Sequence, residues 1–215
     1  MKQISTLLSW VFLPLFTPIY GLLIVLYLPV QSSSFVASES LYMLDPAVKF
    51  LFLLLFLVFI VMAPGLSLVV LRLNKTITSL QMESREERLT PIAIMTFYCL
   101  VLYLFLMFQA ENAMIPSVIK AMVVGGALGA GTAYFITKKI KISLHGMGMG
   151  SLFGFVYMFS LPLEQAPIAM LITVLLAGGI VLAGRLFLKA HTLKEVGLGY
   201  LLGFASQVIC IYFYP

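Results

Sequence analysis

The sequence predicts an all-α, polytopic transmembrane helical bundle, and three observations carry that expectation. Hydrophobic residues fill 62% of the 215 positions and the mean hydropathy is +1.10, whereas a soluble domain is roughly 45–50% apolar. Seven runs nearly free of charge recur, at lengths near the ~20 helical residues that cross a hydrocarbon core about 30 Å thick. No run shows the alternating polarity over about ten residues that a membrane β-barrel strand requires. The expectation is about six to seven spans.

Taken in order, the runs are residues 7–30, 50–71, 92–109, 121–137, 146–163, 166–184 and 196–215. The first follows Lys2, but it is longer than the roughly 7–15 apolar residues of a signal peptide, so it reads as a retained helix. The fourth contains "GGALGAG", Gly125 to Gly131. Inside an apolar span, small residues point to close helix packing rather than to a phosphate loop. Cys99 and Cys210 fall within spans, without CxxC spacing or a metal-ligand cluster, and read as packing residues. The longest polar interruptions, 31–48 and 74–90, are too short to bury a core of their own. The chain is therefore expected to be one integral membrane domain, 1–215, with N-terminal spans in 1–73, the chemistry-bearing motifs in 74–203 and the last span in 196–215.

Charge supplies the orientation. Seven spans place the N-terminus and loops 74–90, 138–145 and 185–195 on one face, which holds 11 of the 13 basic residues. Without Arg85, Arg88 and Arg185 the count is still eight against two, Lys49 and Lys120. The positive-inside rule then puts this face in the cytoplasm, in the inner membrane of a bacterium. The net charge of +5 reads as topology and attraction to anionic lipid headgroups, with no nucleic-acid partner implied.

Ionisable groups near membrane depth are functional by default, although a single one at a helix end is often a snorkelling anchor. The stretch "GRLFLKAHTLKE" places Arg185, His191 and Glu195 at the seam between the last two runs. His191 and Glu195 are four apart, so on a helix the carboxylate orients the imidazole and fixes its tautomer. Arg185 lies six residues before His191, on the opposite side of a continuous helix, and meets it only if the chain turns between them. The other histidine, His145, sits in "ISLHG" on the same expected face. Ser143 and His145 share a site only in a loop or at a helix start, where backbone N–H groups near Gly146 hold an anion. Two histidines, several cations and one carboxylate describe phosphoryl chemistry better than a metal site, because an arginine fork bonds two phosphate oxygens at once.

These residues resemble the type 2 phosphatidic acid phosphatase superfamily of integral membrane lipid phosphatases. Its third signature, Ser-Arg, five residues, His, three residues, Asp, is matched in spacing by Arg185, His191 and Glu195, with Gly184 and Glu195 replacing the serine and aspartate. The second, Pro-Ser-Gly-His, keeps Ser143 and His145. The first, Lys, six residues, Arg-Pro, is eroded: Arg88 has Pro91 three residues later and Gln81 at the lysine position, with Arg85 or Lys75 as substitute cations. The resemblance implies a phosphatase core over residues 85–203 with no cofactor and no metal. By it, His191 is the nucleophile, Glu195 its orienting group, and His145 the acid and base at the leaving oxygen and the water. Arg185, Arg88, Arg85, Ser143 and Gly146 would hold the phosphoryl oxygens of a lipid phosphate. Two other readings stay open: a family member that binds or moves phosphorylated lipids without cleaving them, and a small transporter.

Overall fold

The computed structural model describes residues 2–29, 41–79, 82, 84–109 and 115–214, and among these the chain is helical, with no β-strand. The first apolar run does not form the single helix its length predicts. It divides into α1 (Lys2–Val11) and α2 (Thr17–Tyr27). Pro14 explains the break, since it supplies no N–H and disfavours helical geometry at Leu13. Side chains hold the corner: the Thr17 hydroxyl donates to the Pro14 carbonyl at 2.9 Å and the Tyr20 hydroxyl to the Val11 carbonyl at 2.6 Å. At 1.5 Å per residue α1 is about 15 Å long, half a hydrocarbon core.

The second run becomes one rod, Pro46–Leu73, made of α3 (Pro46–Phe56), a π-helical segment (Leu57–Met62) and α4 (Ala63–Leu73). Asp45 caps it by accepting from the Ala47 N–H at 2.8 Å. Pro64 accounts for the wide turn: its ring crowds the carbonyl one turn back, and a π segment there lets the rod continue. The Ala63 N–H accordingly bonds five residues back, to the Val58 carbonyl.

The remaining helices are α5 (Leu89–Gln109), α6 (Ser117–Thr137), α7 (Leu144–Ser160), α8 (Ile168–Phe187) and α9 (Leu193–Phe213). The rod, the segment Glu86–Phe108, α6, α8 and α9 are long and apolar enough to cross a bilayer, so the chain is a membrane protein with five such helices among the described residues. Five is fewer than the expected six to seven for two reasons: Pro14 breaks the first run, and α7 has 17 residues.

α7 lies at the centre, buried along most of its length. It meets α9 through a glycine seam. A Cβ on Gly150 would strike the Tyr200 carbonyl, one on Gly203 the Met147 carbonyl, and one on Gly199 the Ser143 carbonyl. Gly146 and Gly154 extend the stripe at four-residue spacing, so the two backbones touch along one face. The same device acts across α6, where Gly125 receives the Gln207 amide and Gly129 the Ser206 hydroxyl of α9. "GGALGAG" thus packs helices, and Gln207 Nε2 ties the junction by donating to the Met122 carbonyl at 3.1 Å.

Candidate functional site

The seam puts the first turns of α7 and α9 side by side, and the segments that sequence places on one face converge there. The Ser143 N–H donates to the Glu195 carbonyl at 3.0 Å. Arg88 Nη1 donates to the Ile142 carbonyl at 2.9 Å, and Arg85 Nη1 to the Lys139 carbonyl at 3.1 Å. The loops before α5, α7 and α9 are thereby fixed to one another.

The turn needed between Arg185 and His191 is present. α8 ends at Phe187, and Lys189 takes a left-handed conformation (φ 52°). The Ala190 N–H reaches back to the Arg185 carbonyl at 3.1 Å and the Lys189 N–H to the Leu186 carbonyl at 2.9 Å, a Schellman closure with lysine where glycine is usual. His191 follows immediately, and α9 starts at Leu193 behind the N-cap Thr192.

Glu195 has two duties. Its Oε2 accepts from the Thr192 N–H at 3.4 Å while Thr192 Oγ1 accepts from the Glu195 N–H at 3.3 Å, closing a capping box. The same Oε2 accepts from His191 Nδ1 at 2.7 Å. An acid at the third helical position must reach back past the cap to touch residue 191, and glutamate's extra methylene gives that reach. With Nδ1–H on the carboxylate, Nε2 carries the lone pair. Nε2 lies 3.5 Å from Arg88 Nη1. Burial, reinforced by the Arg88 and Arg185 guanidiniums, holds the imidazole below its ordinary pKa against the opposing pull of Glu195. The side chain is 1% exposed, and a neutral ring is the nucleophilic form.

Arg88, the last residue of the 3₁₀ turn Glu86–Arg88, is buried at 4% exposure; its Nε donates to the Met82 carbonyl at 2.8 Å. His145, in the first turn of α7, has Nε2 2.9 Å from the Ser9 carbonyl, so that nitrogen carries the proton. Arg185 Nη1 donates to the Ser9 hydroxyl at 3.3 Å.

Arg88, His145, Arg185 and His191 line one cavity of about 520 Å³. No carboxylate lines it among the described residues. Apolar walls continue inward from this charged end, with Phe56, Ile60 and Pro64 from the rod, Ile92 and Met95 from α5, and Met122 and Gly126 from α6. Among the described residues, no three His, Cys, Asp or Glu side chains gather as a metal-ligand set.

The other expected phosphate ligands sit elsewhere. Ser143 is the N-cap of α7, and its hydroxyl accepts from the Gly146 N–H at 3.2 Å. Gly146 faces the Val196 carbonyl in the seam. Neither residue lines the cavity. Arg85 is on the surface, paired with Glu86 at 2.9 Å. Lys75 closes the C-terminus of α4 in a left-handed conformation (φ 58°), and it too is absent from the cavity wall. Gln81 lies outside the described residues.

Sequence reasoning missed α1. Lys2, Thr6 and Ser9 line the cavity, at spacings of four and three that share a helix face. Pro14 and that polar stripe at the head of an apolar run were the available signals. Comparison of the chain with protein-family models, with curated proteins and with solved structures finds no match.

Proposed function

We propose that this protein is a membrane-embedded lipid phosphate phosphatase working through a phosphohistidine intermediate, with a core like that of the type 2 phosphatidic acid phosphatases. One observation carries the reading: a carboxylate-backed imidazole, a second imidazole and two guanidiniums share a cavity that has no carboxylate among its described lining residues and is open to apolar walls.

In the proposed reaction His191 Nε2 attacks phosphorus as the ester P–O bond breaks, and Glu195 stabilises the cation that forms on the ring. His145 relays the proton of the phosphate monoanion to the departing alkoxide. Arg88 and Arg185 neutralise charge spreading over the phosphoryl oxygens. Water then attacks the phosphohistidine and the N–P bond breaks. His145 takes the water proton and hands it to the departing phosphate, which leaves as the monoanion and restores the neutral ring. The headgroup sits at the loop end while the tail, phosphatidate-like or polyprenyl-like, lies along the apolar walls. In this reading α7 is a sixth span, and the basic loops face the cytoplasm from a bacterial inner membrane.

A second reading is a protein of the same design that binds phosphorylated lipids without cleaving them. Arg88 favours it, because its guanidinium is tied to the Met82 and Ile142 carbonyls and lies in front of His191 Nε2. Phosphate release in detergent from a panel of lipid phosphates and diphosphates separates the two. Release by the wild type that is absent in His191→Asn establishes the phosphatase. Binding without release establishes the binder.

A further inference from the structure

We propose that α1 is the third wall of the phosphate site, with Lys2 supplying a third cation to the anion and Ser9 positioning Arg185 and His145. This rests on the reading of the cavity as a phosphate site.

The argument starts from charge. An anion held between two arginines and two imidazoles is bound more tightly by every further cation brought to the same cavity. The residues before Arg88 do not bring one: Arg85 is paired with Glu86, and Lys75 closes a helix end. Lys2 lines the cavity together with Arg88 and Arg185.

α1 is built to deliver it. Lys2, Thr6 and Ser9 form the inward stripe, while Ile4, Leu7 and Val11 are exposed on the opposite face. A short helix of this pattern lies in the membrane interface with its apolar side toward the acyl chains. Two contacts fix its position, both at Ser9: the hydroxyl accepts from Arg185 Nη1 and the carbonyl from His145 Nε2. Ser5 packs 3.5 Å from where a Cβ on Gly184 would sit, so the glycine in place of the signature serine is where α1 docks against α8.

The test uses full-length protein in detergent and two probes. Inorganic phosphate binding is measured by calorimetry, and dodecyl phosphate cleavage by phosphate release. Lys2→Gln is expected to raise the phosphate Kd and the dodecyl phosphate KM about fivefold with kcat unchanged. Lys2→Arg restores both. Lys194→Gln, which removes a lysine from the same end but outside the cavity, leaves both at wild-type values. Equal Kd values for wild type and Lys2→Gln overturn the proposal, even where His191→Asn abolishes cleavage and the phosphatase reading stands. A wild type that binds phosphate with Lys2 sensitivity but cleaves nothing supports the third wall and moves the protein to the binding reading. A wild type that binds no phosphate overturns both.

Discussion

The α7–α9 seam and the Pro46–Leu73 rod border the same cavity but are built in opposite ways. In the seam, Gly150 and Gly203 bring backbone against backbone, and any Cβ there collides with a carbonyl. In the rod, Gly65 has nothing within 4 Å of a Cβ position, and Leu54, Leu57, Met62 and Leu66 are exposed. The seam holds both histidines through short, fixed helix starts, while the rod contributes only apolar wall. Close packing therefore concentrates at the histidine-bearing helix starts, where the proposed reaction would need angular precision, and looser packing along the apolar wall, where the proposed lipid tail would enter.

The comparison breaks most sharply at the seam's own chemistry. His191→Asn is expected to reduce phosphate release by at least about 10⁴-fold, since it removes the atom that would take the phosphoryl group in the proposed reaction. Unchanged release by this variant would place the reaction elsewhere. Glu195→Gln keeps the size of the side chain but no longer fixes Nδ1–H, and about a 10³-fold loss of kcat is expected.

Packing gives the next largest contrast. Gly150→Ala is expected to destabilise the protein by about 3 kcal/mol, because its new methyl meets backbone that cannot rotate away. Gly65→Ala in the rod has open space and is expected to stabilise by about 0.5–1 kcal/mol through helix propensity. Thermal unfolding in detergent compares them, and equal shifts would erase the distinction between the two regions.

A smaller effect follows from the pH dependence of the seam. Because the folded protein holds His191 below its ordinary pKa, the unfolded chain binds a proton near pH ~6.5 that the folded chain does not. The stability contribution is thus full above about pH 6.5 and declines as pH falls below it. The folded protein keeps the His191 ring neutral over the same interval. Unfolding followed from pH 7.5 to 5 is expected to show this slope in the wild type and a flatter one in His191→Asn.

Comparable to Gly65→Ala is Lys189→Gly, which relieves the left-handed strain at the α8–α9 turn and is expected to stabilise by about 1 kcal/mol. An unchanged or lowered unfolding temperature would show that the lysine side chain contributes more than its backbone costs.

How much of this was legible beforehand differs from residue to residue. The pairing of His191 with Glu195 followed from four-residue spacing, and the turn after Arg185 from the end of an apolar run, because both are local consequences of helix geometry. The cap formed by Ser143 and the box formed by Thr192 and Glu195 are equally local, and the Ser143 hydroxyl, which its spacing from His145 offers to an anion, is committed to the Gly146 N–H instead. The fate of Arg85 was half readable: the opposite charges of "ESREER" point to local pairing, which Glu86 supplies, while the bond to the distant Lys139 carbonyl follows from no local spacing.

The sequence by itself determined a helical membrane protein, the gathering of its basic loops at one end, and the two histidines with a carboxylate behind one of them. These depend on hydropathy, charge and spacing within a single segment, which the chain carries wherever it folds. Only the tertiary structure decided that glycines lock α7 against α9, that Arg88 comes within 3.5 Å of His191, and that α1 folds back to bring Lys2 and Ser9 to the site. Those outcomes depend on which surfaces meet between residues from 52 to 176 positions apart in the chain, where many pairings are sterically open and packing selects one.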